Sequence, residues 1–286
     1  MLSGMSWVDI TWDNLPARQQ KENVQLNFSS TTDSIKDFNT ICNLVAVNIA
    51  GKYNNLYLSL SGGCDSEHIA NVFVRNNIKF TPVILIIQGF PEIESWYARR
   101  WCDQNHIIPV ILKLNPSDID DILVKYSKII KPRMPLGLFP TYIAEYVNSV
   151  GGHLVTGNQL EYYPDQEQLS GYTNELGNYQ GFIFSESDTY VESAFPNQHP
   201  WSFYYWNPDI MASFVNSYNP ALTLQENKSK IYNVAIRPKC HFPGVINCVS
   251  NKFLLESRKY FGTTDLVCLG NKNELLNKLV FSGTDK

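Results

Sequence analysis

The sequence predicts an α/β fold in which a doubly wound parallel sheet carries a helical C-terminal appendage. Short apolar segments alternate with segments of helical periodicity between residues 53 and 165, an order typical of parallel strands with helices on both faces. The run at 82–87 is apolar without alternation, as expected for a strand buried on both faces. A Gly-rich segment at 61–66 joins the first of these strands to a helix.

Four regions are expected along the chain. Residues 1–52 form an N-terminal extension and a covering helix, with an edge strand that ends near Trp12. Residues 53–165 form the sheet core, and residues 166–207 form an aromatic-rich insertion or lid. Residues 208–286 form the helical C-terminal region.

Within these regions, β-prone runs between Gly, Pro and Asn residues predict strands, and apolar residues three and four apart predict helices. Pro109 weakens one of the strands, because proline donates no backbone hydrogen bond. The predicted strands of the core are 56–60, 81–87, 106–114 and 153–156. The predicted helices are 33–51, 64–75, 91–101, 115–131 and 137–150.

The segment Ser-Gly-Gly-Cys-Asp-Ser at 61–66, here called the glycine turn, stands where a strand passes into a helix. The first amides of a helix have no intrahelical partner and carry the positive end of the helix dipole, so they attract anions. The two glycines allow close approach of a ligand to the backbone. Ser61 and Ser66 add hydroxyl donors, and Asp65 adds a carboxylate able to hold a metal ion. The turn therefore predicts a site for phosphate or pyrophosphate.

The glycine turn lacks the Lys of the P-loop and contains no G-x-G-x-x-G pattern. It resembles the SGGxDS signature of the PP-loop (N-type) ATP pyrophosphatases, the superfamily of NAD, asparagine and GMP synthetases. The resemblance implies that ATP and Mg²⁺ are the cofactors and that Asp65 is catalytic and a metal ligand. The ATP-binding residues expected in this part of the chain are Ser59, Ser61, Gly62, Gly63, Cys64, Asp65, Ser66 and Ile87.

A second junction between a strand and a turn lies at 156–161, with the sequence T-G-N-Q-L-E. It resembles the T-G-N-x-x-E segment of NAD synthetases, in which Thr and Glu face the phosphates and the metal ion. The resemblance implies that Glu161 shares Mg²⁺ with Asp65, and Asp165 is an alternative because the sequence after Glu161 departs from the family pattern. The implied ATP-binding residues of this segment are Thr156, Gly157 and Asn158.

Basic residues of the C-terminal region form a further group of candidates. Proteins of the PP-loop superfamily often bring a basic residue from their C-terminal helices to the phosphates, where charge develops as pyrophosphate leaves. A solvated basic face is the alternative for each candidate. The four candidates are Lys228, Lys230, Arg237 and Lys239.

The resemblance implies a two-step reaction. An oxygen of a small-molecule or nucleobase carbonyl or carboxylate attacks the α-phosphorus of ATP, and pyrophosphate leaves. A nitrogen nucleophile then displaces AMP, which gives an amide or amidine. External ammonia or an amine is expected as the nucleophile, because the segment before the glycine turn is too short for a glutaminase.

Two other functions remain open from the sequence. Sulfur transfer to an adenylated substrate would use a persulfide on Cys240 or Cys248. A nucleotide-binding partner protein without turnover would use its aromatic surface for docking. A zinc site near Cys240 is not expected, because the spacing to the other cysteines is not that of a zinc finger.

The aromatic-rich insertion has two interpretations. It forms either a small separate core, or a substrate lid or partner surface, because Tyr and Trp supply rigid contact area. The segments 179–185 and 189–195 are expected to pair as a hairpin within it.

The composition limits the class of protein. With 44% hydrophobic residues in 286, the chain can bury a full core. Its net charge of −4 argues against a broad basic surface for duplex nucleic acid and leaves a local basic patch open. Six scattered cysteines without a C-x-x-C pair indicate reduced thiols in the cytoplasm. No apolar run is long enough to cross a membrane, and no signal peptide is recognisable. A homo-oligomer is left open.

Overall fold

The computed structural model describes the sheet core and the helices that cover it. The described residues are 8–12, 24–28, 37–88, 93–115, 118, 121–122, 125–126, 138–157, 161–162, 175–179, 182–185, 191, 194–195, 198–200 and 202–236. Within this part of the chain, no helix is long and apolar enough to cross a membrane.

The structure gives bounds for nine strands, six helices and one short 3-10 helix. The strands are β1 (Val8–Trp12), β2 (Val24–Phe28), β3 (Leu56–Ser59), β4 (Phe80–Ile87), β5 (Val110–Leu114), β6 (His153–Val155), β7 (Glu161–Tyr162), β8 (Glu175–Tyr179) and β9 (Phe182–Ser185). The helices are α1 (Phe38–Lys52), α2 (Cys64–Arg75), α3 (Ile93–Gln104), α4 (Leu138–Ser149), α5 (Pro208–Ser217) and α6 (Leu224–Tyr232), and the 3-10 helix is Phe203–Tyr205.

The main sheet has four parallel strands in the order β5-β4-β3-β6. The chain first moves outward from β3 to β4 and β5, through α2 and α3. It then returns past its starting point and adds β6 on the other side of β3. Strand order therefore reverses between β3 and β6, which is the position where open α/β sheets bind ligands.

Helices cover both faces of this sheet, so the expected doubly wound α/β class is confirmed. Alternate strand residues enter two separate cores, as the two-residue period of a strand requires. Leu58 and Ile84 pack with α1, α2 and α3 on one face. Val83 and Leu154 pack with α4 on the other.

The predicted edge strand is present at the N-terminus, where β1 pairs with β2 in an antiparallel ribbon. The strand expected at 106–114 begins only at Val110. Pro109 directly precedes it, and a residue without a backbone N–H is suited to the start of a strand rather than to its interior.

The hairpin expected in the insertion was placed wrongly. β8 pairs with β9, and Val191 is helical instead of extended. The two residues between β8 and β9 are Gln180 and Gly181, and a glycine in a two-residue connection favours the tight turn that a hairpin needs. The segment at 186–188 offers no glycine.

The end of the insertion lies inside the main core. Phe203, Tyr204, Tyr205 and Trp206 are each at most 3% exposed and pack with α1, α2 and α5. The N–H of Phe203 donates to the carbonyl oxygen of Thr156 at 3.0 Å. These four aromatic residues therefore support the main sheet directly, instead of forming a separate small core.

Candidate active site

The two sequence motifs lie side by side at the carboxyl edge of the sheet. The glycine turn follows β3, Thr156 and Gly157 follow β6, and the two strands are hydrogen-bonded neighbours. A Cβ built on Gly157 would lie 3.3 Å from the backbone N and Cα of Ser66 and 2.8 Å from Cδ1 of Ile69. Gly157 therefore allows the second turn to pack directly on the first turn of α2.

Short-range contacts hold the glycine turn in shape. The hydroxyl oxygens of Ser61 and Ser66 are 3.1 Å apart, and the Gly63 N–H donates to Ser61 Oγ at 3.3 Å. Gly62 has a φ of +91°, a conformation that favours glycine. Gly63 is the N-cap of α2 and has no side chain with which to cap the first-turn amides. This end of α2 therefore presents amide donors and a positive dipole to an anion.

A buried lysine contacts the carboxylate of Asp65. Lys228 Nζ lies 3.0 Å from Oδ1 and 3.1 Å from Oδ2 of Asp65. The Lys228 side chain is 1% exposed, and the Asp65 side chain is 13% exposed. The ammonium is therefore removed from water, and the carboxylate supplies its compensating charge.

The hydroxyl of Tyr232 donates to Asp65 Oδ1 at 3.0 Å. Tyr232 follows Lys228 by four residues on α6, so both side chains lie on the helix face that meets α2. Burial and the nearby Asp65 charge raise the pKa of Tyr232 well above its usual value, so its hydroxyl stays protonated and can donate.

A second tyrosine holds the backbone of Asp65. The Tyr204 hydroxyl donates to the carbonyl oxygen of Asp65 at 2.9 Å and lies 2.9 Å from Nδ1 of His68. The rings of His68, Tyr204 and Tyr232 are stacked, with the His68 and Tyr232 centroids 4.5 Å apart. Burial lowers the pKa of His68 to about 3, so this imidazole is neutral. A rigid aromatic stack therefore stands behind Asp65.

The other predicted site residues differ in their exposure, and some of them lie outside the described part of the chain. Ser59 and Ile87 are partly exposed at the carboxyl ends of β3 and β4, while Thr156 is 6% exposed. Lys230 is exposed and lies two residues from Lys228, on a different side of α6. Outside the described residues lie Asn158, Asp165, Arg237 and Lys239, and for Glu161 only the backbone is described.

The arrangement around Asp65 does not fit a metal ion as it stands. Lys228 contacts both carboxylate oxygens, and Tyr232 also contacts Oδ1. Among the described residues no group of three metal-ligating His, Cys, Asp or Glu side chains occurs. A metal ion would have to replace the Lys228 ammonium to bind Asp65.

The described cysteines do not favour a persulfide mechanism. Burial and the Asp65 charge raise the pKa of Cys64 to about 12, so its thiol stays protonated. Cys42 and Cys102 are buried, and burial raises the pKa of each thiol. Cys240 and Cys248 lie outside the described residues.

Sequence reasoning did not single out Tyr204 or Tyr232. Tyr204 was one aromatic residue among many in the insertion, with no signal of its own. For Tyr232 a signal existed, because its spacing of four from the candidate Lys228 places both on one helix face.

No protein-family model and no curated protein matches the chain. The NMN synthetase from Francisella tularensis is similar in structure, with 14% identity and a TM-score of 0.38 over 82% of this chain and 98% of that chain. The NH3-dependent NAD synthetase from Campylobacter jejuni shows 15% identity and a TM-score of 0.35, over 88% of this chain and 98% of that one.

The glutamine-dependent NAD⁺ synthetase from Acinetobacter baumannii, in complex with ADP, shows 12% identity and a TM-score of 0.36. That similarity covers 90% of this chain and 46% of the larger enzyme.

Proposed function

We propose that this protein binds ATP and transfers AMP to a carbonyl or carboxylate oxygen of a small molecule or nucleobase, with release of pyrophosphate. A nitrogen nucleophile, external ammonia or an amine, then displaces AMP to give an amide or amidine. The observation that supports this proposal is the convergence of the glycine turn, the turn after β6 and the buried charge of Lys228 at one sheet edge.

The first-turn amides of α2 and the exposed hydroxyl of Ser61 provide donors for phosphate oxygens, whereas the buried hydroxyl of Ser66 donates to the carbonyl oxygen of Gly63 at 3.1 Å. Thr156 follows β6 beside the glycine turn and would extend this set of donors, and Asn158 remains a candidate. Holding the terminal phosphates in this way leaves the α-phosphorus accessible to the attacking oxygen. We assign no reaction step to a metal ion, because Asp65 is occupied by Lys228.

We assign to Lys228 the role of stabilising the leaving pyrophosphate. Negative charge accumulates on pyrophosphate as the bond between the α- and β-phosphates breaks, and a fixed cation stabilises this charge most effectively where water is excluded. Lys228 is buried, and its ammonium contacts Asp65 in the first turn of α2, so it meets both conditions. Arg237 and Lys239 remain candidates for the same role, and Glu161 remains a candidate metal ligand.

The test is product identification with ATP, Mg²⁺ and a panel of carboxylates, carbonyl compounds and nucleobases. We expect AMP and pyrophosphate in equal amounts, and a modified product once ammonia is added. ADP and inorganic phosphate would contradict the proposal. Binding of ATP without either pair of products would favour a nucleotide-binding protein without turnover, for which the closed ion pair at Asp65 is the supporting observation.

A matched pair of variants connects these products to the site. Lys228→Met removes the buried cation, whereas Lys230→Met removes an exposed cation two residues away on the same helix. We expect pyrophosphate release to fall about a hundredfold in the first variant, because one preorganised charge is lost. The second should match the unmodified protein.

A further inference from the structure

The outer edge of β6 leads directly into the candidate active site. Among the described strands β6 is the last in the main sheet, and its neighbour there is β3. The N–H of His153 points toward β3 and donates to the carbonyl oxygen of Asn55 at 3.1 Å. Because backbone groups alternate in direction along a strand, those of Leu154 and Thr156 point to the outer edge. Both residues are buried, so these groups need hydrogen-bond partners within the protein.

The segment 198–203, here called the edge segment and described except for residue 201, supplies these partners. The N–H of Leu154 donates to Nδ1 of His199 at 3.0 Å. The N–H of Phe203 donates to the carbonyl oxygen of Thr156 at 3.0 Å. The edge segment is therefore attached once to β6 and once to the residue that follows it.

His199 accepts this hydrogen bond as a neutral imidazole. Because the N–H of Leu154 is a donor, Nδ1 carries no proton, and the proton of the ring lies on Nε2. Burial, together with the smaller effect of His153, lowers the pKa of His199 to about 4. Nε2 is buried and has no hydrogen-bond partner among the described residues. An apolar side chain would avoid that cost, so the acceptor for Leu154 is what a histidine contributes at this position.

The two attachments lie on either side of Val155, the last residue of β6. They therefore fix the backbone that leads into Thr156. The next residue is Gly157, whose Cα lies close to the backbone of Ser66 in the glycine turn. A small rotation of the backbone before Thr156 would move its side chain relative to that turn. His199 can thus affect a phosphate bound between the two turns without contacting it.

We propose that His199 is a positioning residue of the phosphate site, which acts through the backbone of β6 to direct the Thr156 hydroxyl toward the phosphate. This inference rests on the proposed function, because Thr156 is a phosphate-binding residue there. The hydrogen bond of one hydroxyl to a charged phosphate corresponds to about tenfold in affinity, which sets the size of the expected effect.

The test is the affinity of the full chain for pyrophosphate, measured by calorimetry. His199→Leu removes the acceptor and should weaken binding about tenfold. His199→Asn places an amide oxygen near the position of Nδ1, so the affinity should stay within about twofold of that of the unmodified protein. His199→Gln places its amide near the position of Nε2 instead. It should show the same loss as His199→Leu, and it serves in its place if the Leu variant does not fold.

Two controls separate positioning from a general loss of stability. Ile143→Ala removes a buried side chain from the core that also contains Leu154, and should lower the free energy of unfolding without changing the affinity for pyrophosphate. In a Thr156→Val background, His199→Leu should cause no further loss of affinity, because it acts through the Thr156 hydroxyl. Additive losses in this double variant would overturn the proposal, as would equal affinities in His199→Leu and His199→Asn.

The tautomer of His199 provides a spectroscopic check. In protein labelled with nitrogen-15 histidine, the imidazole signals that disappear in His199→Asn belong to His199. At neutral pH they should show a proton on Nε2 and none on Nδ1. A proton on Nδ1 would overturn the proposal, because the N–H of Leu154 would then have no acceptor.

The outcome is separable from that of the proposed function, because pyrophosphate binding is measured without turnover. A protein that forms AMP and pyrophosphate, but whose affinity for pyrophosphate is unchanged in His199→Leu, would refute only the role of His199. A protein that shows the loss in His199→Leu and its rescue in His199→Asn, but forms ADP and phosphate, would refute only the proposed reaction.

Discussion

The glycine turn and helix α6 contribute to the same site, but they are built in different ways. The turn is held by contacts within five residues of sequence, such as the pair of hydroxyls of Ser61 and Ser66. The contact between Lys228 and Asp65 joins residues 163 apart and exists only after α6 has packed on α2. A local motif can thus supply the donors for an anion while a distant helix supplies the cation.

The largest expected effect concerns the charged pair, whose two members differ in burial. Asp65→Asn leaves a fully buried ammonium without a counter-ion and should lower the free energy of unfolding by about 3–5 kcal/mol. Lys228→Met should cost less, because the Asp65 side chain is 13% exposed and keeps the Tyr232 hydroxyl. Urea unfolding of both variants measures this difference.

The double variant is the control for this asymmetry. Combining Asp65→Asn with Lys228→Met removes both charges, and most of the loss caused by Asp65→Asn alone should be recovered. Equal losses of unfolding free energy in the two single variants would contradict the predicted difference between the buried ammonium and the partly exposed carboxylate.

The packing of the two turns is tested by Gly157→Ala. The added methyl group would approach the Ser66 backbone and Ile69, so we expect a loss of about 1–3 kcal/mol in unfolding free energy and weaker nucleotide binding. Gly51→Ala is the matched control, because no atom lies within 4 Å of its Cβ and alanine favours the helix α1. Unchanged nucleotide affinity in Gly157→Ala would argue against close packing of the two turns at the site.

Variants of Tyr232 and Tyr204 distinguish the role of the Asp65 carboxylate from that of the Asp65 backbone. Tyr232→Phe removes the donor to Oδ1 and should lower kcat about tenfold, since hydrogen bonds to charged groups contribute about 1.5–3 kcal/mol. Tyr204→Phe removes a donor to the backbone carbonyl and should reduce stability with little change in kcat. Steady-state kinetics and urea unfolding distinguish the two effects, and equal losses of kcat would remove the special role of Tyr232.

A further expected effect is a pH dependence of stability. Burial lowers the pKa of His68 to about 3 and that of His199 to about 4, both below the unfolded value of about 6.5. The unfolded chain therefore takes up protons first as the pH falls. Stability should decrease below about pH 6.5, by up to about 1.4 kcal/mol per pH unit for each histidine.

Urea unfolding between about pH 7 and about pH 5 measures this slope. His199→Asn should reduce the slope by about half, because one of the two titrating groups is lost. A slope that does not change in this variant would show that His199 is not kept neutral by burial.

The sheet and the glycine turn were predictable because their signals are local. A continuous apolar run predicts a buried strand, and Gly62 and Gly63 mark the turn before α2. That the second motif lies near the glycine turn was expected only through its resemblance to the T-G-N-x-x-E segment, and the pairing of β6 with β3 was not predicted. The structure brings the two motifs into contact through Gly157.

The partner of Asp65 was not predictable from local signals. Lys228 was one of four basic candidates, and no sequence feature separated it from Lys230. The difference lies in which face of α6 packs on α2, and tertiary contacts decide this. Tyr204 illustrates the same limit, because its role depends on the burial of residues 203–206 in the main core.

The exchange of ATP with labelled pyrophosphate tests the central claim most directly, since it reports reversible cleavage between the α- and β-phosphates. With a small-molecule extract as the source of substrate, we expect label from pyrophosphate to enter ATP, and Lys228→Met to abolish this incorporation. No incorporation, with ADP and inorganic phosphate as the products of ATP, would contradict the proposed adenylation.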